Sequence, residues 1–72
     1  MDFRSALNET INRFDLQAVE IARISGVSIH TISRFRNGHT KLNSEYLHRI
    51  IQALPATARI YLMALVTSDL GL

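Results

Sequence analysis

The chain has 72 residues, 47% of them hydrophobic, with one Pro, three Gly and no Cys. That length allows one domain with an economical core; the composition excludes a disordered or low-complexity chain, and the missing Cys excludes a disulfide scaffold and a thiolate zinc site while suiting a reducing cytoplasm. Eight basic and six acidic residues leave a net charge of +2, too little by itself to name a partner. No stretch approaches the about 18 apolar residues of a membrane span, and the opening Met1-Asp2-Phe3-Arg4-Ser5 lacks the apolar run of a signal peptide.

Phe3, Ala6, Leu7, Thr10, Ile11 and Phe14 recur at three- and four-residue steps and predict a first helix from Asp2 to Phe14. Asp15 is the expected N-cap of a second helix reaching about Ile24, with Val19, Ile21, Ala22 and Ile24 as its apolar load. Gly26 then supplies a left-handed turn, Val27 plugs the core, and the Ser28 hydroxyl caps a third helix. In that helix Ile32 and Phe35 point inward, while Ile29, His30, Ser33, Arg34 and Asn37 share the outward face; Asn37-Gly38 ends it. After a loop from His39 to Leu42, Asn43 or Ser44 caps a fourth helix whose inward stripe is Leu47, Ile50, Ile51 and Leu54. Pro55 suits the first turn of a fifth helix running to about Ser68, with Gly71 as a late stop signal. The expectation is an all-α bundle of five helices filling residues 1–72.

Residues 16–37 read as two short helices joined by a tight Gly turn, the layout of a helix-turn-helix, whose second helix lies in the DNA major groove. Charge agrees with this. From Arg23 to Arg49 the chain carries Arg23, Arg34, Arg36, Lys41 and Arg49 against Glu45 alone, with His30, His39 and His48 able to add charge as pH drops. The fifth helix, about 55–68, poses a different question. Ile60 to Val66 are all apolar, so one side is left without an internal partner. A self-complementary dimer contact through Tyr61, Leu62, Leu65 and Val66 explains this economically; a domain that continues beyond residue 72 is the other explanation.

These residues resemble the phage-repressor helix-turn-helix family (Cro and lambda repressor, also called XRE). The resemblance rests on Glu20-Ile21-Ala22, Gly26-Val27-Ser28, Thr31-Ile32-Ser33-Arg34, Phe35 and Asn37-Gly38, and covers roughly residues 3–55. It implies a lambda-repressor-like domain that acts as a transcriptional regulator, a repressor. Such a protein would bind an inverted-repeat operator as a homodimer, in the cytoplasm and associated with the nucleoid when DNA-bound. By this resemblance Ile29, His30, Ser33 and Arg34 face base edges. Ser28 and Thr31 sit at the phosphate rim, and Asn37, His39, Lys41 and Asn43 approach the backbone beyond the helix. Chemistry supports the roles independently: an arginine offers paired donors to guanine O6 and N7, an isoleucine can touch a thymine methyl, and a serine at a helix N-terminus can donate to phosphate.

The chain departs from the family pattern twice. Where the family has a phosphate-holding Gln, Ala18 stands, so either Gln17 takes over that contact or it is gone. Arg36 occupies a place that is commonly acidic and paired with a first-helix Arg; it either pairs with Glu9 in reverse or adds a phosphate contact. The three His residues fall nine apart, not at ligand spacing, so no metal is expected. No cofactor motif, nucleophile elbow or paired carboxylate suggests an enzyme. The competing class is an antitoxin-like or adaptor module that binds another protein through the fifth helix.

Overall fold

The computed structural model describes residues 1–68. Five helices follow one another: α1 (Phe3–Arg13), α2 (Ala18–Ser25), α3 (Ile29–Arg36), α4 (Ser44–Ala53) and α5 (Ala56–Ser68). No strand occurs among the described residues, and the Gly71 stop signal lies outside them. The Cα radius of gyration is 11.3 Å. Helix α1 packs on α3 and α5, and α2 packs on α3 and α4. Their buried faces meet in one apolar cluster that includes Leu7, Ile11, Ile21, Val27, Ile32, Phe35, Ile50 and Leu62. Thr10 is fully buried, and its hydroxyl is satisfied by donating to the Ala6 carbonyl at 2.7 Å.

Side chains and left-handed residues set the helix ends. The Asp2 carboxylate accepts the Ser5 N–H at 2.7 Å, and this bond holds its pKa below the ordinary carboxylate value. The charged cap therefore supports α1 at neutral pH, and that support is lost as pH falls through the lowered pKa. Ser28 caps α3 by accepting the His30 N–H at 3.1 Å, and Asn43, the first of the two expected candidates, caps α4 by accepting the Tyr46 N–H at 2.8 Å. Gly26 stands at φ 76° and closes α2 through its N–H to the Ala22 carbonyl at 3.0 Å.

The structure corrects several expectations. Asp15 does not cap α2; at φ 52° it terminates α1. Its N–H donates to the Asn12 carbonyl and that of Leu16 to the Ile11 carbonyl, the paired closure of a Schellman turn. Helix α2 consequently starts two residues later than expected, with Gln17 at its N-cap and no side-chain cap bond. On the shortened α2 only Ile21 is fully buried, whereas Val19 and Ile24 are 64% and 54% exposed. Pro55 precedes α5, and its carbonyl accepts the Arg59 N–H at 2.9 Å.

The largest correction concerns α5. Leu62, expected at a dimer contact, is completely buried in the protomer's own core. Leu65 and Val66 are half-buried and pack against the same core, and Tyr61 is half-buried against Phe14 at the end of α1. The cause is helical spacing: Ala58, Tyr61, Leu62, Leu65 and Val66 follow three- and four-residue steps along the side that meets α1. Tyr61 meets Phe14 edge-on at 5.5 Å between ring centroids. The open side instead carries Ile60 and Met63, 71% and 41% exposed. Leu62→Ala is thus expected to lower unfolding free energy in urea by about 2–5 kcal/mol, while Ile60→Ala changes it by less than about 0.5 kcal/mol; equal losses would contradict this division of faces.

Candidate nucleic-acid interface

Helix α3 divides cleanly. Ile32 and Phe35 are buried behind it, while Ile29, His30, Ser33, Arg34 and Asn37 are exposed in front. Ile29 is 37% exposed and does not fold back into the core. Ile29, Ser33 and Asn37, spaced four apart, line one groove together with Ala18 at the start of α2 and Asn8, Asn12 and Arg36. His30 and Arg34 lie on the adjoining row, one turn apart.

The residues expected to flank that face are placed unevenly. Gln17 is exposed at the N-cap of α2. Ser28 is exposed, and its oxygen is engaged by the His30 N–H. Thr31 is half-buried on the flank of α3. His39 and Lys41 are exposed in the loop after α3. Asn43 is exposed, but its side-chain oxygen is committed to capping α4.

Not all the positive charge anticipated between Arg23 and Arg49 is open. Arg23 is paired with Glu20, which lowers the pKa of the carboxylate and raises that of the guanidinium through their hydrogen bond. Arg49 is paired with Glu45 at 2.9 Å. Both pairs are solvent-exposed and add little to stability. Among the described residues Arg34 and Lys41 have no acidic partner. Between Arg23 and Arg49 the open positive charge thereby lies on α3 and the loop after it.

Helix α1 holds this arrangement through contacts that pattern reading missed. Arg4 donates from Nε to the Phe35 carbonyl at 2.6 Å and from Nη2 to the Thr40 carbonyl at 3.0 Å, with its guanidinium 4.8 Å from the Phe35 ring centroid. Arg36 pairs with neither Glu9 nor another acid: its Nε donates to Asn8 Oδ1 at 2.7 Å, and Asn8 Nδ2 returns a bond to the Arg36 carbonyl at 3.2 Å. The available signal was Asn8 and Asn12, polar residues each one position past the buried Leu7 and Ile11 and so on the edge of the apolar stripe. The carbonyls of Phe35 and Arg36 lie in the last turn of α3, beyond reach of the regular i+4 pattern; Phe35 also accepts the Gly38 N–H at 3.1 Å. Past α3, Gly38 at φ 81° allows the His39 N–H to reach the Arg34 carbonyl at 2.8 Å.

Comparisons with family models, curated proteins and solved structures return no match. No group of three or more potential metal ligands occurs among the described residues, and no helix there is long and apolar enough to cross a membrane. The α1–α3 contact generates its own test: Asn8→Ala removes two hydrogen bonds of about 1 kcal/mol each. Thermal unfolding should show a loss of roughly 1–2 kcal/mol, and an unchanged transition would mean the pair does not secure α3.

Proposed function

We propose that this chain is a duplex-DNA-binding transcription regulator of the phage-repressor type, with α2 and α3 as its helix-turn-helix and α3 as the helix that enters the major groove. One observation carries the reading: α3 offers Ile29, His30, Ser33 and Arg34 to solvent while Ile32 and Phe35 anchor it from behind. A helix fits the major groove, where each base pair presents its own donor and acceptor pattern. Arg34, with no acidic partner, is suited to guanine, and Ile29 to a thymine methyl. Phosphate attraction would supply much of the affinity through Gln17, Ser28, Thr31, Asn37, His39, Lys41 and Asn43, making binding steeply salt-dependent.

Selection of bound duplexes from a random pool tests the reading directly. An enriched inverted repeat with half-sites about one turn, ~34 Å, apart is the expected result; no enrichment even at low salt would defeat it. On the selected site Arg34→Ala should weaken binding by about 1–3 kcal/mol while folding is unchanged. Equal losses on selected and random duplexes would make Arg34 a phosphate ligand instead.

An inverted repeat is read by two copies of the chain. The side of α5 carrying Ile60, Met63 and Ala64 is available for pairing; Arg59, the helix's only charged residue, is half-buried and donates back to the Leu54 carbonyl at 3.2 Å. An uncharged face can meet its own copy without like-charge repulsion. Ile60→Glu should give folded monomers in sedimentation velocity. A wild type that is monomeric at micromolar concentration would instead assign this face to a different protein, as the antitoxin-like or adaptor reading requires.

A further inference from the structure

The groove between α1 and α3 encloses about 510 Å³. Its walls include Asn8, Asn12, Ala18, Ser33, Arg36 and Asn37, and no carboxylate. Among them Arg36 stands in an unusual electrostatic position. It is half-buried, and its only side-chain bond is the neutral one from Nε to Asn8 Oδ1. Nη1 and Nη2 have no partner among the described residues, yet they are not sealed from solvent. The side chains of Asn12, Ser33 and Asn37 likewise make no hydrogen bond among the described residues. Ala18, which also lines the groove, adds no side chain beyond Cβ.

We propose that this groove seats one backbone phosphodiester of the bound duplex, with the Arg36 guanidinium as its principal ligand and the amides of Asn12 and Asn37 beside it. This rests on the DNA-binding reading above. A partly desolvated cation without a counter-charge is stabilised by an anion. Two free guanidinium donors with amide donors beside them suit the non-bridging oxygens of a phosphate. Ser33 and Asn37 belong both to the groove and to the exposed row of α3, so a strand whose base edges face Ser33 passes its backbone along the groove. The Asn8 bond holds the guanidinium in place before any ligand arrives. A shorter side chain at position 18 leaves room for this contact, which α1 and α3 make together.

The test uses the full chain, a duplex recovered by selection, and Arg36→Gln, which keeps an N–H donor for Asn8. Affinity should fall roughly fivefold per half-site at 0.15 M salt, equally on selected and random duplexes, and for two bound copies the slope of log K against log salt should decrease by about 1.8, one phosphate's worth in each half-site. A neutral methylphosphonate scanned along the duplex should weaken the wild type at one position per half-site outside the bases read. At that position it should cost Arg36→Gln nothing further. An unchanged slope overturns the proposal: affinity retained would make the groove idle, and affinity lost would make Arg36 a positioning residue only. A loss confined to the selected site also overturns it, by making Arg36 a base reader. If Arg36→Gln fails to fold, the methylphosphonate scan on the wild type decides alone, and absence of any such position overturns the proposal. A wild type that binds no duplex defeats the DNA-binding reading itself, a result distinct from all of these.

Discussion

Arg4 and Asn8 of α1 hold the C-terminal end of α3 by its backbone, through the carbonyls of Phe35, Arg36 and Thr40. Helix α3 has only eight residues, too few to persist alone in water. Its stability comes from burying Ile32 and Phe35, from the Arg36 carbonyl finding a partner in Asn8, and from Arg4 adding to the Gly38 N–H already on the Phe35 carbonyl. Because the grip is on the backbone, the outward side chains of α3 remain uncommitted. A helix meant to present side chains to a partner needs this division.

Charge placement follows the same logic. Two exposed arginines are neutralised by carboxylates one turn away, Arg23 by Glu20 and Arg49 by Glu45. Arg4 and Arg59 are turned onto carbonyls, and Arg13 lies over the Tyr61 ring. Arg34, Arg36 and Lys41 are left facing outward or into the α1–α3 groove without an anion. A net charge of +2 thus understates the local field, since two of the six acids are taken up by Arg23 and Arg49 and none pairs with Arg34, Arg36 or Lys41 among the described residues.

The five helices and the inward residues of α1, α3 and α4 were legible because three- and four-residue periodicity and cap chemistry agree there. Val27, Ile32, Phe35, Ile50 and Leu54 are all buried, and Gly26, Ser28 and Asn43 act at helix ends as their chemistry suggests. Asp15 was misread because a carboxylate before a helix looks the same whether it starts the next helix or stops the previous one. Only the bonds from Asp15 and Leu16 back to Asn12 and Ile11 decide. In α5 the apolar run covers the whole circumference, so periodicity cannot say which side packs, and Leu62 was placed on the wrong one. The Asn8–Arg36 contact spans 28 residues and joins a neutral amide to a cation; no local spacing rule encodes such a pair. The outward face of α3 was legible as a face, but its partner is a matter of chemistry that burial alone does not decide.

The pairing of α5 with α1 brings the two ends of the described chain together. The α2–α3 contact joins neighbours, and the α1–α3 and α2–α4 contacts each skip a single helix, so all three close shorter loops at lower entropic cost. The α1–α5 seam closes nearly the full length of the polypeptide and forms only once the intervening helices are compact. Partial opening of the native molecule is therefore expected to begin at this seam, with α5 peeling away as a unit. Amide hydrogens of α5 would then exchange with solvent faster than those of α2 and α3.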